Sequence, residues 1–223
     1  MALLVANSPL IVARMDLVAL ALAAVVGAVF GATVPLIQHR LYSEPEFRAA
    51  PASGRKLRLL QGFGAVAGGA SLALAFRPDH YDAFPALLSA AFLLVLVTLS
   101  STDFDRRRIP NLVTYPAVLA ALAVSWAWPD RSVSEVAIGT GAALAVALAL
   151  GVMRFGGGDL KLVVLMGVLL GWRGLLPALL YGFLLGGVVA VVLLFRSGRR
   201  STFAYGPYLA IGAAIVLLFP SVY

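Results

Sequence analysis

Charge-free stretches divide this chain into eight blocks. Read between successive charged residues, with neutral His39 also taken as a boundary, they cover residues 17–38, 59–76, 83–102, 109–129, 136–153, 162–172, 174–195 and 201–223. Seven of them reach the length of about 17–25 residues that a helix needs to cross roughly 30 Å of hydrocarbon. The sixth holds 11 residues. It spans only if its helix reaches back through Lys161 and Asp159 to about Phe155, and that draws a carboxylate to the membrane boundary. The first block reads as a retained helix, because it runs too long for the apolar core of a cleaved signal peptide. The pattern predicts an all-α polytopic membrane protein with about eight transmembrane helices and only short loops.

Composition agrees with the pattern. Of 223 residues, 61% are hydrophobic and 12% carry charge, whereas a soluble domain of this size carries about 25% charged residues. The lack of cysteine excludes disulfides, thiolate nucleophiles and Cys-ligated metals. A net charge of +7 could suggest nucleic acid, but in a membrane chain basic residues set orientation, so no nucleic-acid partner is expected. With both termini outside, 13 Lys and Arg residues fall on the cytoplasmic side (Arg40, Arg48, Arg55, Lys56, Arg58, Arg106, Arg107, Arg108, Arg154, Lys161, Arg196, Arg199 and Arg200) against four outside (Arg14, Arg77, Arg131 and Arg173). Fusing the sixth and seventh blocks into one span buries Arg173 and lowers the division to 10 against 6. The eight-span reading fits the positive-inside rule better.

The longest connection, residues 39–58, carries Pro45 and Pro51 and is expected to be an irregular cytoplasmic loop. Glycines at Gly68-Gly69 and Gly139-Thr140-Gly141 are expected to let helices approach closely.

Ionisable groups within or beside hydrocarbon are costly and therefore mark function. Seven of the 10 acidic residues sit where solvation explains them: Asp16, Glu44, Glu46, Asp79, Asp82, Asp130 and Glu135. Asp103 and Asp105 follow the third block, and Asp159 opens the sixth, so all three lie at one face. Three glycines, Gly156, Gly157 and Gly158, precede Asp159. Glycine tolerates positive φ and admits close neighbours, so this stretch is expected to leave regular helix and line a wet cavity, with Asp159 capping the following helix as the plainer alternative. Asp105, beside Arg106, Arg107 and Arg108, reads as part of a solvated turn, and Pro110 as the first turn of the next helix. Lys161 is expected to snorkel to the headgroups. Two carboxylates facing each other across a small wet cavity share one proton. The ionised one can then activate water while the protonated one hydrogen-bonds a peptide carbonyl. Rival protease chemistries lack their groups: there is no H-E-x-x-H or G-x-S-x-G, and the two histidines, His39 and His80, read as solvated loop residues.

In these residues the chain resembles the type IV prepilin peptidases, bacterial intramembrane aspartic proteases with a G-x-G-D motif, here Gly156-Gly157-Gly158-Asp159 followed by Leu160-Lys161-Leu162. The family's first aspartate lies six residues before an Ile-Pro-Asn string. Counting back from Ile109-Pro110-Asn111 gives Asp103. Tyr205-Gly206-Pro207-Tyr208-Leu209-Ala210 looks like the family's late F-G-P-x-L-A element. Residues 85–215 carry the resemblance well, and Gly27 to Pro35 with His39-Arg40-Leu41 resemble an eroded first helix and its basic string.

The resemblance implies a single transmembrane domain over residues 1–223, with a reduced N-terminal part (1–80) and a peptidase core (83–219). It implies an aspartic endopeptidase of the bacterial cytoplasmic membrane with Asp103 and Asp159 as the catalytic pair, Gly156–Gly158 as the active-site loop, and Ile109, Pro110, Asn111, Lys161, Gly206 and Pro207 in support. Its partners would be prepilins or pseudopilins and the lipid bilayer, with a basic leader cut after a glycine; the oligomeric state is not fixed by the sequence. Larger members carry a zinc loop with two C-x-x-C pairs, for which this chain has no cysteine, so no metal is expected. Peptide hydrolysis itself needs no cofactor, and S-adenosylmethionine would enter only with a retained N-methyltransferase activity. The competing readings are a proton-coupled transporter and a non-enzymatic scaffold for pilus or secretion assembly.

Overall fold

A computed structural model describes residues 9–42, 52–78, 80–152, 156–197 and 204–220. The turn-rich segment with Glu44, Pro45, Glu46, Arg48 and Pro51, as well as Asp79, Arg154, Phe155, Arg199 and Arg200, lies outside the described residues. Among the described residues every regular element is helical: α1 (Pro9–Ile37), a 3-10 turn (Gln38–Leu41), α2 (Gly54–Ala75), α3 (Ala83–Arg106), α4 (Asn111–Ala123), a second 3-10 turn (Ser125–Ala127), α5 (Val133–Val152), α6 (Gly157–Ser197) and α7 (Gly206–Leu218). Five of these helices are long and apolar enough to cross a membrane, while α4 and α7 are shorter apolar helices. The protein is an all-α, multi-pass membrane protein.

Helix α3 is the axis of the bundle. From Leu93 to Asp103 nearly every residue is buried, because α1, α2 and α7 all pack on it. Leu93, Leu96 and Leu99 join Leu162, Leu165, Met166 and Leu169 of α6 and Leu209, Ala213, Val216 and Leu217 of α7 in one core. The outward face of α1, by contrast, exposes Leu17, Val18, Leu22, Val25, Val26 and Val29. That is the reverse of a soluble protein, and it suits a helix solvated by lipid.

Helices α1 and α2 meet through two small-residue pairs of the same spacing, Gly27 with Gly31 and Gly64 with Gly68. A Cβ on any of the four would run into the facing backbone. Association inside a bilayer lacks a hydrophobic driving force and depends on such close backbone contact. Gly68 and Gly69 thus act as the sequence suggests, as does Gly139 against Gly167 and Gly171, while nothing lies within 4 Å of a Cβ built on Gly141.

The 41-residue α6 is two rods. Gly171 adopts φ 67 and ψ −178, a conformation open only to glycine, and the chain reverses there. Asp159 and Phe183 lie at the end of the bundle that holds Asp103 and Tyr205, whereas Leu169 and Arg173 lie at the end that holds Arg131 and Glu135. The break frees the carbonyl of Leu169 from its helical partner, and the Arg131 guanidinium donates to it. Arg131 is also paired with Asp130 at 3.2 Å and stacked over Trp128 at 4.9 Å. Arg131 and Asp130 are therefore packed structural residues, which corrects the expectation that solvation explains Asp130. Glu135 likewise caps α5 through the amide of Ser132 at 2.9 Å and pairs with Arg173 at 2.9 Å.

The fourth and eighth charge-free blocks overstate their helices, which are 13 residues each. The fourth block also counted the 3-10 turn Ser125–Ala127 and Trp128, buried with its indole N–H donating to Ser89 Oγ at 3.0 Å. Lack of charge marks what hydrocarbon tolerates, not where backbone hydrogen bonding stops.

Asp105 is corrected most sharply. Its side chain is 4% exposed, held by Lys56 Nζ at 2.6 Å, Gln38 Nε2 at 2.8 Å and Arg106 Nε at 3.2 Å. Gln38 in turn accepts from Ser101 Oγ at 2.8 Å. α3 continues past the third block to Arg106, so Asp105 sits in its last turn and ties the ends of α1 and α2 to it.

Gly31→Val should overpack the α1–α2 crossing and lower stability by about 1–3 kcal/mol, read as a fall in thermal midpoint in detergent. Gly62→Ala, where nothing lies within 4 Å of the new methyl, should raise it through helix propensity. Asp105→Asn should cost about 1–3 kcal/mol by weakening a buried hydrogen-bonded ion, while activity per folded molecule is retained, measured on the monodisperse fraction.

Candidate active site

Asp103 and Asp105 are two positions apart on one helix, and so their side chains leave it in nearly opposite directions. Asp105 points toward α1 and α2. Asp103, 5% exposed, points toward the start of α7, where its Oδ2 accepts the Gly206 N–H at 3.0 Å. Gly206 is the first residue of α7, so this amide has no acceptor within the helix and is free to serve a carboxylate. Pro207, next in line, brings no N–H of its own and suits a first turn. A Cβ on Gly206 would lie 2.8 Å from Asp103 Oδ2, so a larger residue there would press on that carboxyl.

Past Asp103 the helix ends at Arg107, a non-glycine residue in left-handed conformation (φ 54, ψ 37) whose N–H bonds the Asp103 carbonyl at 2.7 Å. A residue so placed costs of order 1 kcal/mol. The turn brings the Arg107 charge within reach of the Asp103 carboxyl and sends Ile109-Pro110 back across the bundle end to begin α4 at Asn111.

Asp159 is the third residue of α6. Packing through Ile109 and a charge interaction link it to Asp103. Gly158 packs against Ile109, to which an added Cβ would come within 3.2 Å. Ile109 also borders Gly206 at 3.3 Å by the same measure. The Asp103 charge acts directly on the Asp159 carboxyl. Two acids 56 positions apart in sequence thus share one end of the bundle, with Ile109 beside both.

The glycines before Asp159 do their work differently from expectation. Gly157 and Gly158 are in the first turn of α6, and neither has positive φ. Small size matters at two of the three: Gly158 admits Ile109, and Gly156 lies 3.3 Å, from the position of an added Cβ, from Asp159 Oδ2, whereas nothing lies within 4 Å of a Cβ built on Gly157. Asp159 belongs to a regular helix start.

Beside the acids lies a cavity of about 380 Å³ lined by Tyr42, Arg107, Arg108, Ile109, Pro110, Asn111, Gly156, Gly157, Gly158 and Lys161. Lys161 does not reach for headgroups: its Nζ donates to Asn111 Oδ1 at 2.5 Å and lies 5.6 Å from the centre of the Tyr115 ring. That bond joins the starts of α4 and α6. The supporting residues expected from the sequence therefore divide into two neighbouring sets. Gly206 and Pro207 shape the Asp103 side, Asn111, Pro110 and Lys161 the cavity, and Ile109 belongs to both. His39 is half-buried in the first 3-10 turn and His80 half-buried against the Tyr81 ring at 4.2 Å, so neither is a solvated loop residue.

Three further residues stand at or beside the site: Tyr205, which the sequence offers only as part of its Tyr-Gly-Pro element, and Tyr42 and Gln38, which it does not single out. Tyr205 stands next to Asp159, and burial, with the Asp159 charge adding to it, pushes its phenol upward, so it stays a neutral hydroxyl. Tyr42 is 2% exposed and donates to the carbonyls of Thr102 and Arg108 at 3.3 Å each. Gln38 anchors Asp105. The signal in the sequence is polarity: each is an uncharged polar group in or near an apolar block, which charge alone does not mark.

Among the described residues no group of three His, Cys, Asp or Glu side chains could hold a metal ion.

Comparison with known proteins bears on the same region. Residues 90–191 match the model of the type IV leader peptidase family. Proteins named prepilin leader peptidase/N-methyltransferase are similar to this chain. The one from Aeromonas hydrophila is 33% identical over 141 residues, covering 58% of this chain and 49% of that protein. The one from Burkholderia pseudomallei (strain 1026b) is 31% identical over 166 residues, 70% of this chain and 52% of that protein. The one from Bacillus subtilis (strain 168) is 30% identical over 146 residues, 62% and 56% respectively. The chain spans about half the length of the curated relatives it matches. No solved structure matches it significantly. The matched residues contain both acids, the turn between α3 and α4 and the Gly-Gly-Gly-Asp helix start, and with them this chain belongs to the type IV leader peptidase family.

Proposed function

We propose that this protein is an intramembrane aspartic endopeptidase that removes the leader from prepilins or prepilin-like proteins at the cytoplasmic face of the bacterial cytoplasmic membrane. The observation that carries the reading is the meeting of Asp103 and Asp159 at one end of the bundle with Gly206, Ile109 and Tyr205 around them. The basic residues Lys56, Arg106, Arg107, Arg108 and Lys161 gather at that end, which favours its facing the cytoplasm.

The chemistry is hydrolysis by a pair of acids. The ionised carboxylate accepts a proton from water as the water oxygen attacks the scissile carbonyl carbon. The protonated partner donates to the carbonyl oxygen as it becomes an oxyanion. Collapse of the tetrahedral species breaks the C–N bond, and the proton gained from water passes to the leaving amine. The Gly206 amide donates to one oxygen of Asp103, so it fixes that carboxyl's orientation and leaves the other oxygen for substrate or water. A relay for a transported proton would call for acids near mid-bilayer; these two stand at a helix end and a helix start.

Asp103→Asn and Asp159→Asn should each reduce cleavage of a prepilin from the same genome by at least about 10³-fold, given the size of acid–base contributions, with membrane insertion intact. Cleavage at the wild-type rate by either variant, read by N-terminal sequencing of the product, would sink the assignment. Gly206→Ala should press on the Asp103 carboxyl and remove at least tenfold from kcat with little change in KM, because it disturbs an acid and not a binding surface. Unchanged kcat would count against Asp103 being held for chemistry by that amide.

A further inference from the structure

Helices α2 and α7 both rest on α3 but barely on each other. Between them runs a trough of about 280 Å³, floored by Leu93, Leu96, Val97 and Ser100 of α3 and walled by Phe63, Ala67 and Ala70 of α2 and Ala210, Ala214 and Leu218 of α7, among others. We infer that this trough seats one face of the substrate's apolar transmembrane helix, the segment that follows the cleaved bond. The inference rests on the peptidase reading and adds where on the protein the substrate lies.

Register along α3 is the first argument. Residues three and four apart share a helix face, so the floor residues Leu93, Leu96, Val97 and Ser100 lead, one turn on, to Asp103 and Phe104. On α7 the wall residues Ala210 and Ala214 lead back, one turn, to Gly206 and Pro207. A helix lying in the trough therefore ends beside Asp103 and the amide that orients it. At that end Phe104 meets Phe63 edge-on, with ring centroids 5.0 Å apart, and the pair closes the trough where a helix would have to give way to the extended chain that a peptidase cuts.

Wall chemistry is the second argument. Ala67, Ala70, Ser71, Ala210 and Ala214 are small, and small side chains are what let one helix backbone approach another in lipid. The third argument is the contrast with a comparable groove on the opposite face of α3, lined by Phe30, Val34, Ile37, Ala91, Leu94, Val95 and Thr98 among others. Its stripe leads one turn on, from Thr98, to Ser101 and Thr102, and then to Asp105. There Gln38, Lys56 and Arg106 already occupy the acid. Of two apolar grooves on one helix, only that between α2 and α7 leads to an acid of the pair.

The test places a photo-crosslinking p-benzoylphenylalanine at Ala214 or at Ala91 in the Asp159→Asn protein, reconstituted in vesicles with a prepilin. Crosslinking to the prepilin helix from Ala214 and at least tenfold less from Ala91 is the expected result. Equal yields, a preference for Ala91, or adducts from Ala214 with lipid alone overturn the inference. In the otherwise wild-type protein, Ala214→Trp should raise KM for a helix-bearing prepilin about tenfold, whereas Ala91→Trp should not. If the wild-type protein cleaves prepilins and Ala214→Trp does so with unchanged KM, the trough is wrong and the peptidase reading stands. If the wild-type protein cleaves none, the peptidase reading itself fails.

Discussion

A carboxylate at the edge of hydrocarbon must be met by donors, and the donor that meets Asp103 is a backbone amide that no helix could otherwise satisfy. Much of the site follows from that bond. It requires α7 to begin at Gly206, one residue from Tyr205, and glycine suits that position because a Cβ would press on the carboxylate. It also fixes α7 against α3, which in turn exposes the trough on their far side. The first turn of α7 is thus both a structural joint and part of the candidate chemistry.

The two aspartates at the end of α3 show how helical period assigns unlike roles to like residues. Separated by two positions, Asp103 and Asp105 face opposite sides. One meets an amide and a second acid across the bundle, while the other meets a lysine, an arginine and a glutamine. The same period divides the two apolar grooves on α3, because each stripe ends at a different aspartate. Burial alone does not distinguish the acids; their partners do.

Positive-φ backbone marks two of the turns that shape the site. Arg107 takes a left-handed conformation at the end of α3, and Gly171 takes one that only glycine tolerates at the break within α6. The first brings Ile109 between Gly158 and Gly206, and the second returns α6 to the same end, so that Gly186 packs on the Tyr205 ring. At the far end Arg131 supplies the donor that the broken helix lacks. Each turn is thereby matched by a polar group or a missing side chain that makes it tolerable in a membrane.

Charge placement along the chain determined the class of protein and the existence of most of its helices, and narrowed the acids to Asp103, Asp105 and Asp159, because hydrocarbon excludes charge so strongly that its few exceptions are conspicuous; the resemblance then singled out Asp103 and Asp159. Helix ends were less legible: blocks without charge ran past the true ends at Ala123 and Leu218, since tryptophan, proline and serine are tolerated in lipid yet stop or cap helices. The burial of Asp105, the bond between Lys161 and Asn111, and the fit of Gly158 against Ile109 were decided only by the tertiary structure. Each depends on which residue of another helix comes opposite, and sequence spacing within one helix carries no information about the register of its neighbour.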